Sequence, residues 1–243
     1  MIRGVLLLSA LGAGLAGLTV LDAAAQANPF QRMLGLETRQ SEPSVWYVRA
    51  DGRGQFIFDR SSQPALLRLE GDDEVYALRR ASAAGGGEVW LTDTGRQMLR
   101  QSNLGGWTYF PEDNPDGVLV EQVGRAQTLV APLADNAALE RAASDMVNQL
   151  SRSTRRNISA ELTSLAPDQN PYVIDAMAMI NRAAGRASRR ALRDFEIVRI
   201  GVAEAPAASF DGRVLDVSVA PELGYGGRPS SEFLRRVLEQ GRN

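Results

Sequence analysis

The chain of 243 residues has no cysteine, no histidine and no lysine; all 27 of its basic residues are arginine, against 29 acids. Each absence removes a reagent. Without imidazole, Ser-His-Asp and Cys-His nucleophile pairs are excluded. Without a thiol or a side-chain amine there is no thiolate nucleophile and no Schiff base. Tetrahedral zinc sites built on nitrogen and sulfur go too, which leaves only oxygen donors for a metal. Disulfides are impossible, so the stability of an exported form has to come from its core. Carboxylate chemistry and hard-cation sites survive. Genomic base composition is the simplest cause of the all-arginine usage. The net charge of −2 argues against nucleic acid as a partner.

The N-terminus has the layout of a secretory leader over residues 1–25. Arg3 gives the positive start, residues 4–21 are apolar and uncharged, and Ala23-Ala24-Ala25 spells a small-x-small cleavage site, with Ala25-Gln26-Ala27 as a second. The expected location is therefore periplasmic or extracellular. The apolar run is also long enough to stay as an uncut membrane anchor, which is the alternative. Residues 26–44 form an extension: Asn28-Pro29 opens one or two helical turns that end at Gly35, and a polar stretch follows.

Residues 45–131 read as an antiparallel β region. VWYV, QFIF, ALLRL, EVYAL, EVWL, QMLR, WTYF and VLVEQV are short apolar runs separated by turn residues. Asp51-Gly52 is a hairpin signal, and Gly71-Asp72-Asp73 and Gly85-Gly86-Gly87 punctuate later strands. Apolar residues fall on both faces, Tyr76 and Leu78 opposite Val75 and Ala77, so the sheet needs cover on both sides. Helices from the second half are the expected cover. A faint repeat sets FIFD-LLR-VYAL against VWLTD-MLR-WTYF and places Asp59 opposite Asp93; chance likeness among hairpins is the simpler account.

From Asp135 the period becomes helical across residues 132–243. Leu139, Ala143, Met146, Val147 and Leu150 make one stripe with Asp135 as N-cap. Ile158, Leu162 and Leu165 extend it or form a second short helix. Asn170-Pro171 opens another, with Val173, Ala176, Met177, Ile180 and Ala184 on one face. Two strands, residues 195–203 and 213–221, follow as a hairpin through Asp211-Gly212, and Ser230 caps a last helix. The fold class is α+β: an N-terminal antiparallel meander packed against two or three helices, a β-hairpin and a terminal helix. Whether the two parts make one domain or two stays open.

Few residues carry chemistry. Asp93-Thr94-Gly95 has the spelling of an aspartic-protease loop, but Arg96 follows it and no second copy exists, so a turn is the better reading. Glu112-x-Asn114-x-Asp116-Gly117 imitates half a calcium loop, with Val123 where a bidentate acid belongs. Asp72, Asp73 and Glu74 read as a solvated turn. Arg152, Arg155, Arg156, Arg182, Arg186, Arg189, Arg190 and Arg193 make a basic stretch that suits a solvated helix face or anionic lipid and glycan. The candidate ligand site lies in GYGGRPSS, residues 224–231. There Gly226, Gly227, Arg228, Ser230 and Ser231 combine a glycine-rich turn, a guanidinium, two hydroxyls and the free amides of a helix start, which suits an anion or carboxylate. The competing reading is a plain strand-to-helix connector. No catalytic residue, metal ligand or cofactor is assigned.

The LLR…EVYAL and LGGWTYF segments together with GYGGRPSS resemble an uncharacterised family of exported alphaproteobacterial proteins, known as a domain of unknown function. The likeness covers most of the chain after the leader. It implies export and brings no activity or catalytic residue. The functional expectation is a soluble, non-catalytic binding or scaffolding protein of the cell envelope. Its partner is an unidentified envelope component, which an arginine surface allows to be anionic, with membrane contact open through an uncut N-terminus or the arginine-rich helices. The alternative is a periplasmic hydrolase working through an Asp/Glu pair.

Overall fold

A computed structural model describes residues 43–163 and 166–241. The leader and the helical turns expected before Gly35 lie outside the described residues. Eight strands come first: β1 (Ser44–Arg49), β2 (Gln55–Asp59), β3 (Ala65–Leu69), β4 (Val75–Ser82), β5 (Glu88–Leu91), β6 (Gln97–Gln101), β7 (Trp107–Tyr109) and β8 (Val118–Arg125). Each pairs antiparallel with the next, and β8 returns to β1, so the meander closes into a barrel.

Closure answers the two-faced apolar pattern differently from the expectation. The inner face covers itself. Tyr47, Phe56, Phe58, Tyr76, Leu78, Trp90, Leu99 and Tyr109 fill the interior, with Trp90 stacked on Trp107 at 4.9 Å and Tyr47 on Phe56 at 5.4 Å. An eight-stranded barrel is just wide enough for its own side chains to fill it. Outside, Ile57, Leu66 and Val75 are covered by Leu129 and by Tyr225 of the second half, not by an α-helix. The segment after β8 is pinned there by buried Asp59, which accepts from the Leu129 amide at 2.6 Å and the Ser61 amide at 2.9 Å.

The second half is helix α1 (Asn136–Thr154), β9 (Ser159–Leu162), α2 (Asn170–Arg186), β10 (Ile197–Val202), β11 (Ala207–Phe210), β12 (Val214–Val219), a 3-10 stretch (Pro221–Gly227) and α3 (Ser231–Gln240). The four strands form one sheet in the order β11-β12-β10-β9. Val198, Ile200, Leu215 and Val217 pack from this sheet against Met146, Val173, Met177, Ile180 and Leu234 of the helices. The caps follow the sequence: Asp135 accepts from the Ala138 amide at 2.7 Å, and Ser230 from the Phe233 amide at 3.0 Å.

Two local expectations change. Residues 158–162 do not continue a helix; they lead into and form β9, parallel to β10 with Ala160 beside Val198 and Leu162 beside Ile200. Alternation of Ile158, Ala160 and Leu162 with Ser159 and Glu161 is the strand period, too short to stand out beside a helical neighbour. The hairpin at Asp211-Gly212 exists, but its first arm is β11, pairing Phe210 with Leu215. β10 instead runs parallel to β12, Ile197 beside Val214. Among the described residues no helix is long and apolar enough to cross a membrane.

Candidate functional site

α3 meets the barrel end-on, at its first turn. A helix start leaves amides without intrahelical acceptors, and its dipole favours negative charge there. Two barrel carboxylates supply both needs. Asp93 accepts from the Ser230 amide at 2.8 Å and its hydroxyl at 2.6 Å. Glu74 accepts from the Ser231 amide at 3.0 Å and its hydroxyl at 2.6 Å. Of the solvated turn expected at residues 72–74, Asp73 is exposed and Asp72 half-buried, but Glu74 is 0% exposed and forms a buried contact. Arg182 of α2 offsets the charge there, 2.6 Å from Asp72 and 3.8 Å from Glu74. Burial, with the charges of Glu74 and Asp72, pushes the Tyr76 phenol well up.

The Asp93-Thr94-Gly95 segment is the β5–β6 turn. The Thr92 amide donates to the Arg96 carbonyl at 2.9 Å, and Gly95 takes a φ of +80°, a conformation that favours glycine. What spelling could not give is the direction of the Asp93 carboxylate, which points at a helix 137 residues later. Asp59 and Asp93, the pair aligned by the faint repeat, behave alike: each fastens a distant segment to the barrel.

The five residues of the candidate ligand site come together here, and their groups face the protein's own atoms. Arg228, 4% exposed, is ion-paired with Asp175 and donates to the Val75 carbonyl at 2.9 Å. Ser230 and Ser231 hold the two carboxylates just described. Gly226 passes Pro64 so closely that a Cβ would lie 2.5 Å from its ring, and one on Gly227 would lie 1.8 Å from the Ala220 carbonyl oxygen.

Beside this junction a cleft of about 490 Å³ opens between barrel and loop. Its apolar walls are Pro64, Leu91, Pro206 and Phe233, and Ala77, Arg79, Asp93 and Thr94 contribute polar groups. The sequence marks Ala77 only as part of an apolar face and Arg79 not at all, because nothing in EVYALRR says that β5 will leave β4 at that point.

The other motifs do not join the cleft. In the calcium-like loop, Asn114 accepts from the Asp116 amide at 3.2 Å. Among the described residues no three His, Cys, Asp or Glu side chains gather where a metal could sit. The basic stretch is split: Arg182 is at the barrel junction, Arg156 pairs with Glu196 at 3.3 Å, and Arg186, Arg189 and Arg193 are exposed.

A second link steadies α3. Arg96 donates to Glu232 at 3.0 Å, and Arg236 bridges Glu232 at 2.6 Å and the Thr94 carbonyl at 3.2 Å. Burial raises the Glu232 carboxyl, but its bond to Arg96 and the nearby positive charge outweigh that and leave it below the usual range. A carboxylate depressed in the fold gives stability above its unfolded value and loses it as pH falls through the folded one. Arg96→Gln is expected to cost roughly 1 kcal/mol at neutral pH. The gap to the native chain should narrow as pH falls below about 4.3, as denaturant midpoints across that range will show.

A family model described as "Domain of unknown function (DUF4908)" matches residues 29–238. No curated protein and no solved structure matches the chain.

Proposed function

The chain belongs to this family, a domain of unknown function, and from that premise we propose that it is an exported, non-catalytic protein that binds a cell-envelope component in the cleft beside Ser230. The observation that carries the reading is the fate of the carboxylates. Asp93, the acid lining the cleft, has one oxygen on the Ser230 amide and the other on its hydroxyl. Glu74 is bound in the same manner and fully buried. Acid–base hydrolysis needs a carboxyl free to exchange a proton with substrate. A hydrolytic role would require Asp93 to release the cap of α3.

Export rests on the leader-like residues 1–25 and on the resemblance to exported alphaproteobacterial chains. An anionic partner suits Arg79, the cleft guanidinium that makes no ion pair with any described residue. The test is capture from an envelope fraction by the purified mature chain and by a Leu91→Glu variant, alongside assays on envelope glycans and peptides. One retained component, lost with Leu91→Glu, and no turnover are expected. Equal capture by both chains, or hydrolysis abolished by Asp93→Asn, overturns the reading. The N-terminus of the recovered protein should begin near Gln26; an intact Met1 would overturn the cleaved form.

A further inference from the structure

Between β4 and β5 the barrel ladder has a gap one residue long, and its position follows from register alone. In an antiparallel ladder successive residues turn their N–H and C=O alternately to one neighbour and the other. The Ala83 amide donates to the Gly87 carbonyl at 3.1 Å, one step beyond the pairing of Ser82 with Glu88. Odd-numbered residues of β4 therefore address β5: Ala81 meets Val89 and Arg79 meets Leu91. The Val75 carbonyl agrees, since it is taken by Arg228 and not by β3. Ala77 would come next, opposite position 93. β5 has already left, because the Thr92 amide closes on the Arg96 carbonyl and the chain turns. Ala77 therefore has no partner in β5, and among the described residues no hydrogen bond joins it to the turn that follows; the residue is half-buried on the cleft wall.

Two residues on, Arg79 is exposed at the same cleft and makes no ion pair or hydrogen bond through its side chain with any described residue. The other cleft guanidinium, Arg228, is committed to Asp175 and Val75. A backbone donor and acceptor side by side, a cation one strand step away and the apolar Leu91 and Phe233 nearby are the elements of strand addition. A peptide unit presents the matching acceptor and donor at strand spacing. A small anion would answer Arg79 and leave Ala77 unmet.

We propose that the cleft takes an extended polypeptide segment bearing an acidic side chain. One of its residues completes the ladder at Ala77, its carboxylate lies on Arg79, and a flanking apolar side chain packs on Leu91 and Phe233. This rests on the cleft being the binding site and adds the chemical class of what it binds.

The probe is a pool of acetylated, amidated pentapeptides with central glutamate and varied apolar neighbours, titrated to about 1 mM, where even weak affinity registers. Amide NMR of the mature chain is the readout. Saturable shifts at Ala77 and Arg79 are expected, with the matching glutamine pool weaker by about tenfold, as befits loss of a charge-assisted bond. Arg79→Gln should erase the difference between the pools. Methylating the backbone nitrogens of a selected binder one at a time should abolish binding at one position and spare others. Equal affinity of the two pools for the native chain, indifference to every methylation, or no shift at those amides overturns the proposal. If the pools fail while Leu91→Glu still loses the envelope component, the ligand class is wrong and the cleft reading stands.

Discussion

Glu74→Ala is expected to lower the unfolding free energy by about 4 kcal/mol, within the range for breaking a buried charged contact. Glu74 is 0% exposed, and its two oxygens accept from the Ser231 amide and hydroxyl. Removing it strands those donors in a dry junction, where an unmet polar group costs about 1–3 kcal/mol. It also leaves Arg182 with Asp72 alone as its ion-pair partner among the described residues. Glu74→Gln keeps the volume and one acceptor, so it should cost about half as much. Denaturant unfolding of the two variants checks the order. A loss below about 1 kcal/mol for Glu74→Ala, the size of an exposed ion pair, would mean that the acid does not hold α3.

Gly227→Ala is expected to cost at least about 4 kcal/mol, in the range reserved for gross core or backbone disruption. The added Cβ would sit 1.8 Å from the Ala220 carbonyl oxygen and 2.6 Å from its carbon, and neither is the tip of a side chain that can swing away. The same approach carries the hydrogen bond from the Ala220 amide to the Gly227 carbonyl at 2.6 Å. To admit a methyl group the loop has to move, and Arg228 and Ser230, next along the chain, move with it. Thermal unfolding monitors the loss of stability. An amide spectrum in which Asp93 and Glu74 are undisturbed would contradict the coupling of loop to clamp.

Alternation and turn chemistry made the strands of the barrel legible, and the stripes Leu139–Met146–Leu150 and Val173–Met177–Ile180 did the same for α1 and α2. Closure was not legible. It is decided by β8 meeting β1, a pairing between residues far apart that leaves no mark on local period. The parallel pairing of β10 with β12 was hidden for a related reason: the intervening β11 has only Phe210 buried and reads as loop.

At the candidate site, residues 226–231 were recognisable as a helix start fit for a carboxylate. Composition could not say that Asp93, Glu74 and Asp175 stand opposite them. Glu74 looked solvated because three adjacent acids usually are; only the arrival of Ser231 makes its burial tolerable. Ala77 was legible only as part of the second apolar face and Arg79 not at all, since an interrupted ladder is a property of two strands, not of either sequence.

The separation of 157 positions between Glu74 and Ser231 bears on the order in which the parts can come together. Every strand of the barrel precedes the last helix in the chain, so a barrel that closes before that helix docks has to keep the acid hydrated. A chain cut short of residue 231 would leave that acid without the amide and hydroxyl it accepts from.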